Sequence, residues 1–350
     1  MNTSISRRDE RGRILDENTA RYKLNDIFCA AWLSHALTAL IDNNVFDTIE
    51  DKPMSADEIA QKNGLHAPSL YRALRAAAAN GILVEHEDAV FEHNDGSRLL
   101  RSNHPHSWKG MAKMWNHKSC LAAWGEFSSV LKDGQSGIKH AFGKTLYEHL
   151  AEVEGGTNAF SDAMISNSTH TSMAIAKAFP FSRFKTVLDL GGGIGTLLAA
   201  ILEEHKHIEG INFEIPELQQ AAEEYLGQRR LRDRLKTVVG NFLENIPPDV
   251  DLYMIKNSLW NWDDENCKII VQNVRDAIGD NRDSRLLIIE YIIDEQNAPW
   301  TTLYDLQILN MPGGRARTIE EYMELLARAG FLVESVEFVQ DQTLLLARPI

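Results

Sequence analysis

The sequence predicts an α/β protein in which a C-terminal domain with a mainly parallel, seven-stranded sheet follows a smaller, helix-rich domain. Three observations indicate this. Beyond residue 184, apolar strand-like runs alternate with helical patterns, which is typical of a sheet covered by helices. The run at 186–190 leads directly into a glycine-rich turn and a helical pattern. The last two runs flank Gln340-Asp341-Gln342, which predicts an antiparallel hairpin at one sheet edge.

The C-terminal elements can be placed from the period of their apolar residues. A mainly parallel sheet that ends in a hairpin also differs from an ordinary dinucleotide-binding domain. We expect strands near Thr186–Leu190, Glu209–Phe213, Lys236–Val239, Leu252–Lys256, Arg285–Ile292, Leu332–Val339 and Thr343–Arg348, and helices near Thr196–Glu204, Pro216–Leu226, Asp264–Ala277 and Ile319–Ala329.

The N-terminal region predicts a winged helix, that is, helices followed by a small β-hairpin. The helical stretch Leu24–Ile41 is apolar on nearly every side, so we expect much of it to be buried, with a second subunit as one way to cover it. Further elements are a helix opened by the capping box Ser55–Glu58, a helix at Ala67–Asn80, and strand-like runs at Ile82–Glu85 and Ala89–His93.

A winged helix can bind DNA or can join two subunits. Arg72 and Arg75 lie on the would-be recognition helix and fit the first reading. The second is favoured because acidic residues crowd the same segment: Asp47, Glu50, Asp51, Asp57, Glu58, Glu85, Glu87 and Asp88. We therefore expect a homodimer.

Composition narrows the function classes. The 350 residues suffice for two domains, and the formal charge of −14 argues against nucleic acid or an anionic membrane as partner. The three cysteines have neither paired nor metal-ligand spacing, which predicts reduced thiols, no metal and a cytoplasmic protein. Residues 1–20 are polar and expected to be poorly ordered, without a signal peptide, and no apolar run approaches a membrane span.

We expect three segments: a winged-helix dimerisation domain at 1–103, a helical linker at 104–181 and the α/β domain at 182–350. The linker is rich in Trp, His, Met and Phe, which at helical spacing is equally compatible with core packing and with a substrate pocket. The candidate substrate-binding residues are Met114, Asn116, His117, Phe160, Met164, Trp260, Asn310 and Met311.

The glycine turn indicates which ligand the sheet binds. Asp189 stands two residues before the first glycine of a G-x-G-x-G pattern, where a dinucleotide site would have G-x-G-x-x-G. Its carboxylate would repel a pyrophosphate but suits an ammonium group. Glu214 ends the next strand, where a ribose would present its hydroxyls.

Five motifs together resemble the class I S-adenosylmethionine (SAM) dependent small-molecule O-methyltransferases, a group that includes plant caffeate, hydroxyindole and bacterial natural-product enzymes of secondary metabolism. They are DLGGGIG (189–195), FEIPEL (213–218), GNF (240–242), WNWDDENC (260–267) and GGRARTIEEY (313–322). The resemblance covers nearly the whole chain. It implies a Rossmann-like methyltransferase domain, SAM as cofactor and a small-molecule substrate.

The resemblance also assigns a cofactor site. Asp189, Gly191 and Gly193 would contact the methionine end of SAM and Glu214 its ribose, while Asn241 would stand where most of the family has Asp. The full set of implied cofactor-binding residues is Asp189, Gly191, Gly193, Glu214, Ile215, Gly240, Asn241, Phe242, Lys256 and Trp262.

The catalytic residues depart from the family pattern. Where phenol-methylating members have a His that accepts the hydroxyl proton, this sequence has Trp260, which cannot accept one. Ala316 replaces one of two family carboxylates, and Glu290 retains the other. The candidate catalytic residues are therefore Glu290, His117 and the substituted position Trp260.

Three mechanisms stay open at this stage. An already nucleophilic acceptor could be methylated by alignment alone. A different base, such as His117, Glu290 or His170, could take over. SAM could also serve as a bound cation in a non-methylating reaction such as a pericyclisation, decarboxylation or hydroxylation. Methyl transfer to a natural-product-like small molecule is favoured. The substrate is expected to be aromatic, because Trp260 adds a flat surface on which a planar ring can stack.

Overall fold

The computed structural model describes residues 17–153, 156–294 and 298–350, without the side chains of 156–162, 165–167 and 298. Most of the N-terminal segment expected to be poorly ordered lies outside these residues. The chain forms two compact units, Met1–Asn116 and His117–Ile350, which divide the helical linker expected at 104–181 between them.

The N-terminal unit is the expected winged helix. Its three-stranded sheet has the order β1-β3-β2, with β2 and β3 antiparallel. The elements are α1 (Glu17–Asp42), α2 (Val45–Ile49), β1 (Met54–Ser55), α3 (Ala56–Asn63), α4 (Ala67–Ala79), β2 (Leu83–His86), β3 (Val90–His93), α5 (Asp95–Arg98) and α6 (Lys109–Trp115).

Local sequence signals explain why α3 and α4 begin and pack where they do. The Ser55 hydroxyl accepts a hydrogen bond from the Glu58 N–H, and Glu58 accepts one from the Ser55 N–H, which completes the predicted capping box. Leu70 and Leu74 on α4 pack with Phe91 of β3 in one buried cluster. This cluster fixes the helices against the small sheet.

Helix α1 is mostly exposed within this unit, so its expected burial would require a second subunit. Of its 26 residues only Leu40 and Ile41 are buried, whereas Phe28 and Trp32 are 71% and 72% exposed. An open groove of about 710 Å³ runs beside Trp32, between α1 and α4. The expectation about membrane spans also needs correction. In the described part of the chain, α1 alone is long and apolar enough, by length and composition, to cross a membrane.

The second unit carries the remaining elements. They are α7 (Lys118–Gly125), α8 (Phe127–Asp133), α9 (Gly137–Phe142), α10 (Leu146–Glu152), α11 (Gly156–Ala178), β4 (Thr186–Leu190), α12 (Thr196–Glu204), β5 (Glu209–Glu214), α13 (Pro216–Gly227), β6 (Leu235–Val239), β7 (Leu252–Lys256), α14 (Asp264–Ile278), β8 (Arg285–Glu290), α15 (Ala298–Asn310), α16 (Ile319–Arg328), β9 (Phe331–Val339) and β10 (Gln342–Pro349).

The predicted seven-stranded sheet is confirmed, with the order β6-β5-β4-β7-β8-β10-β9. The first five strands in this order are parallel, and β10 runs antiparallel to both β8 and β9. Every strand and helix predicted for the C-terminal domain is present, with bounds that agree within two residues. The helix α15 was not predicted, because its apolar residues are spread around the helix and give no amphipathic stripe.

The topology brings the ends of several strands to one edge. Parallel strands share their carboxyl edge, so Asp189 of β4, Glu214 of β5, Lys256 of β7 and Glu290 of β8 lie along it. Since Thr343 of β10 pairs with Glu290, the β9–β10 turn reaches the same edge. Ligands of open α/β sheets bind at this edge.

Candidate active site

The glycine turn after β4 is held by side chains from β5. A Cβ on Gly192 would lie 2.2 Å from the Asn212 amide oxygen, so only glycine fits there. The Asn212 amide donates to the Gly193 carbonyl at 3.0 Å, and Glu214 accepts from the Gly193 N–H at 2.7 Å. Gly193 has a φ of +57° and open space on its Cβ side. The turn is therefore fixed by Asn212 and Glu214 on one side and open to a ligand on the Cβ side of Gly193.

Asp189 is a buried carboxylate that lacks a full set of partners. It is 2% exposed, and among the described residues its Oδ1 has no hydrogen-bond partner. Burial raises the pKa of Asp189 to about 7, and the positive charge of Lys256 limits the rise. The Lys256 ammonium donates to the Ser168 hydroxyl of α11 at 3.3 Å. An unpaired buried carboxylate is suited to a cationic ligand group.

Glu214 links the turn to the next helix. Its second oxygen accepts from the Ile215 N–H at 2.8 Å, at the start of α13. Burial raises the pKa of Glu214, while the N–H groups of Ile215 and Gly193 oppose that rise. Each carboxylate oxygen can accept more than one hydrogen bond, so both still offer lone pairs to a ligand hydroxyl.

Aromatic rings border the other side of the turn. A Cβ on Gly191 would lie 3.2 Å from the Phe242 ring, and Phe242 meets Trp262 edge-to-face at a ring-centroid distance of 5.8 Å. Gly240 is required because a Cβ there would lie 2.3 Å from the Phe213 ring. The structure thus brings Phe242 and Trp262, the two predicted adenine neighbours, together beside the glycine turn.

Asn241 is engaged locally. Its amide oxygen accepts from the Leu243 N–H at 3.0 Å, and its amide nitrogen donates to Glu244 at 3.1 Å. The predicted adenine contact would therefore have to use the second lone pair of the oxygen.

Trp260 stands in a stack of aromatic rings. Its centroid lies 5.2 Å from that of Tyr291 and 5.9 Å from that of Tyr304, with ring planes inclined by 22° and 17°. Trp300 meets Tyr304 edge-to-face at 4.8 Å. The position of the family's base is thus part of a nearly parallel aromatic wall, and Trp260 is 6% exposed.

Glu290 is fully buried and binds the backbone of the loop that carries Trp260. Its Oε1 accepts from the N–H groups of Ser258 at 3.0 Å, Leu259 at 2.9 Å and Trp260 at 3.4 Å. Burial raises the pKa of Glu290 to about 8, against the effect of these three N–H groups. The predicted catalytic role of Glu290 stays a prediction; these contacts favour a positioning role.

The same loop is tied down from its other side. The buried guanidinium of Arg317 donates to the Trp262 carbonyl at 3.1 Å and to Asp264 at 2.7 Å. Ala316 is buried, and its N–H donates to the Asp305 carboxylate at 2.7 Å. Loop 258–262 is therefore rigidly held.

The two candidate histidine bases differ in their surroundings. The His117 Nδ1 accepts from the Ser119 N–H at 3.3 Å and thereby caps α7. Burial lowers the pKa of His117, so the ring is neutral at pH 7. Because Nδ1 accepts, the proton of the neutral ring lies on Nε2. In that tautomer the ring can donate to a ligand, but its acceptor nitrogen is occupied. His170 is exposed on α11 and lies 2.7 Å from the Gln340 amide.

Several predicted substrate residues are engaged elsewhere. Asn310 is fully buried, and its amide meets the Ala123 carbonyl at 3.2 Å and the Trp124 N–H at 3.3 Å. Met311 packs with the buried cluster around Ala123. These contacts favour a packing role for both residues.

The remaining predicted pocket residues are distributed over both units. Met164 is half-buried on α11, and the side chain of Phe160 lies outside the described residues. Met114 and Asn116 belong to the N-terminal unit, where the Asn116 amide donates to the Ser34 hydroxyl at 2.9 Å. Their predicted contacts with substrate stay predictions.

Two residues of the site were missed from sequence. The Tyr147 hydroxyl accepts from the Asn261 amide at 3.3 Å, and burial, together with the charge of Glu214, raises the pKa of Tyr147. Gln342 begins β10 at the active edge and is 1% exposed. The sequence signal for Gln342 was a polar residue at the start of an apolar strand.

The fold and site together define a Rossmann-like methyltransferase: a parallel sheet closed by an antiparallel hairpin, with an acid-tipped glycine turn at its carboxyl edge. Residues 124–332 match the model of the O-methyltransferase domain, and residues 25–103 match that of the O-methyltransferase dimerisation domain. The chain belongs to the O-methyltransferase family. The predicted family, fold class and enzyme class are confirmed.

Individual relatives span nearly the whole chain. The phenazine O-methyltransferase of Lysobacter antibioticus is 32% identical and covers 91% of this chain and 93% of its own. The 8-amino-8-demethylriboflavin N,N-dimethyltransferase of Streptomyces davaonensis is 29% identical, covering 93% and 94%. The solved structure of a mitomycin 7-O-methyltransferase superposes with a TM-score of 0.87 at 30% identity, covering 95% and 98%.

Proposed function

We propose that the protein transfers a methyl group from SAM to an oxygen or ring-bound nitrogen of a planar aromatic small molecule of the natural-product type, without a histidine base. SAM is the cofactor, as predicted. Relatives of this chain are named as O-methyltransferases of phenazine and of mitomycin biosynthesis and as an N,N-dimethyltransferase of an aminoriboflavin. These names support an aromatic substrate and leave both oxygen and nitrogen as the accepting atom.

The described residues fit this cofactor. The unpaired Asp189 oxygen can accept from the ammonium of the methionine end, and the remaining lone pairs of Glu214 can accept from the ribose hydroxyls. The open space above Gly193 leaves room for the ligand, and Phe242 and Trp262 offer faces for the adenine. When bound, SAM supplies an electrophilic methyl group.

The observation that carries the proposal is the aromatic wall at the position of the missing base. Trp260 accepts no proton, and Glu290 uses Oε1 to accept three N–H groups of the loop, while its Oε2 is fully buried and has no partner among the described residues. The wall of Trp260, Tyr291 and Tyr304 is suited to align a flat ring. Alignment of an acceptor that ionises by itself can provide much of the acceleration.

A series of phenols with graded acidity tests this mechanism. At saturating SAM and acceptor, we expect S-adenosylhomocysteine to form in step with the methylated product, and the pH midpoint of kcat to follow the pKa of each phenol. An enzymatic base would instead give one midpoint shared by all acceptors. A shared midpoint that is lost in His117→Gln or His170→Gln would refute the proposal and identify the base.

The second candidate is a non-methylating reaction in which SAM acts as a bound cation. The missing base favours this candidate, because such a reaction needs no group that accepts a proton from a phenol. The same aromatic wall could hold its substrate. Substrate turnover with SAM left unconsumed in the assay above would establish it. Methyl transfer is preferred since the relatives named above are methyltransferases.

We further propose that α1 forms the homodimer surface. The dimerisation-domain match covers most of α1, and this helix exposes Ile27, Phe28 and Trp32 beside the groove lined by α4. Exposed apolar surface of this extent marks a protein interface.

The cysteines bear on the compartment. Cys29, Cys120 and Cys267 are free thiols, and we keep a cytosolic enzyme of secondary metabolism as part of the proposal.

Trp32→Glu tests the dimer surface. We expect it to shift the protein from dimer to monomer in size-exclusion chromatography with light scattering, because a charge would be buried without a partner. Leu131→Glu on α8 is the matched control, since Leu131 is 73% exposed against 72% for Trp32. A Trp32→Glu protein that stays dimeric at micromolar concentration would refute the assignment.

A further inference from the structure

Gln342 lies at the active edge through an unusual connection. It is the first residue of β10, and Thr343 beside it pairs with Glu290, the last residue of β8. Because β10 runs antiparallel, its beginning meets the edge where the parallel strands end. Gln342 is separated from the glycine turn by more than one hundred residues of sequence, yet it lies at the same edge of the sheet.

The alternation of β10 determines the face from which Gln342 projects. Leu344 belongs to the same buried cluster as Ile289 and Met254. Gln342 is two residues before Leu344, and Lys256 is two residues after Met254, so both project from this face. The predicted methionine-binding residue Asp189 shares it, two residues after Val187 of the same cluster.

The amide of Gln342 is buried without a partner among the residues that the structure describes. It is 1% exposed, and neither its nitrogen nor its oxygen has a hydrogen-bond partner among the described residues. Buried side-chain amides are normally paired, because an unpaired donor and acceptor lose their bonds to water on burial. A group that offers one acceptor and one donor would satisfy both atoms together.

The residue before Gln342 relates this end of β10 to the aromatic wall. Burial, together with the charge of Asp341, raises the pKa of Tyr304 to about 12, and Tyr304 stacks on Trp260. Helix α11 crosses above, since its Ser168 binds Lys256 and its His170 binds Gln340. The Asp341 charge disfavours an anionic ligand group close to Gln342.

We propose that Gln342 is a specificity-determining residue that binds a neutral donor–acceptor edge of the aromatic substrate, such as a lactam or primary carboxamide. This rests on the proposed function, because it assumes that the aromatic wall receives the methyl acceptor. The wall aligns the ring, and the paired hydrogen bonds fix its rotation within the plane. The accepting atom would then be set on the opposite edge of the ring, toward Asp189 and Lys256.

The test compares 6-hydroxy-2-naphthamide with 2-naphthol, which lacks the carboxamide. Affinity for each is measured by calorimetry in the presence of S-adenosylhomocysteine, and kcat/KM for methylation is measured with SAM. We expect the wild type to prefer the carboxamide by about tenfold or more in affinity and, where transfer occurs, in kcat/KM, which is the discrimination that two paired hydrogen bonds support.

The variants are Gln342→Met, which removes the amide at similar length, and the control Thr343→Val, which removes a buried hydroxyl on the opposite face. The preference should fall to about onefold in Gln342→Met and persist in Thr343→Val. Without substrate, Gln342→Met should melt at a higher temperature than wild type, because an apolar group replaces an unpaired one. A structural amide held by water would give lower stability and an unchanged preference, and would overturn the proposal.

The proposal and the proposed function can fail separately. Equal affinity for the two compounds, or no binding of the carboxamide, overturns the role of Gln342 even if 2-naphthol is methylated. If neither compound is methylated, the affinity comparison with S-adenosylhomocysteine still decides the role of Gln342. Should Gln342→Met fail to fold, the wild-type comparison decides alone.

Discussion

Asp189→Asn is expected to weaken SAM binding about 100-fold, which corresponds to about 3 kcal/mol, within the range for removing one partner of a buried charge pair. The carboxylate is buried, and its Oδ1 has no partner in the described structure. The ammonium of the methionine end would supply the missing partner. Titration calorimetry measures the change, and Glu209→Gln, at the exposed start of β5, is the matched control for loss of a negative charge.

The pH dependence gives this prediction a second readout. Since burial raises the pKa of Asp189 to about 7, the carboxyl binds a proton in the free protein below that pH. We therefore expect SAM affinity to fall as the pH drops from 8 to 6, and this dependence to be lost in Asp189→Asn. A variant that binds SAM as tightly as wild type would contradict the assignment of the methionine end to Asp189.

Stability should change with pH in the opposite sense. The folded pKa of Asp189 lies above its unfolded value, so the native state binds the extra proton between about pH 4 and 7. The contribution of this group is fully present below pH 4 and is lost as the pH rises through 7. In the absence of SAM, Asp189→Asn should therefore be stabilised relative to wild type more at pH 8 than at pH 5, as measured by thermal unfolding.

The sequence predicted the sheet and the acidic strand ends because both depend on local patterns. A run such as 186–190, closed by Asp189 and glycines, specifies a strand, a turn and the edge at which they meet. The predicted adenine rings Phe242 and Trp262 also come together, since they follow the parallel strands β6 and β7, which end at the same edge of the sheet. The apolar pattern of α1 predicts burial, but it does not reveal whether the covering surface belongs to the same chain or to a second subunit.

Other features depend on contacts that the sequence does not encode locally. Glu290 was recognised as an acid at a strand end, yet the three N–H groups at its Oε1 come from a loop more than twenty residues earlier. Asn241 closes its own turn, which the motif did not indicate. Gln342 reaches the active edge only because β10 is inserted antiparallel between β8 and β9.

Glu290→Gln and Glu290→Ala should separate positioning from proton transfer. Gln retains a carbonyl oxygen for the N–H groups of Ser258, Leu259 and Trp260, so we expect a modest loss of stability and activity within about tenfold of wild type. Ala leaves three buried N–H groups unpaired, each costing about 1–3 kcal/mol, so the free energy of unfolding should fall by several kcal/mol in denaturant titrations.

If Glu290 were the base, Gln would abolish proton transfer as fully as Ala and lower kcat by about 10²–10⁴-fold, with stability little changed. The decisive quantity is therefore the ratio of the two losses in kcat, measured below the melting temperature of both variants. A positioning residue gives a small loss for Gln and a large one for Ala, because loop 258–262 carries Trp260 into the aromatic wall. Equal losses in kcat for the two variants would support the catalytic role that the sequence predicts for Glu290.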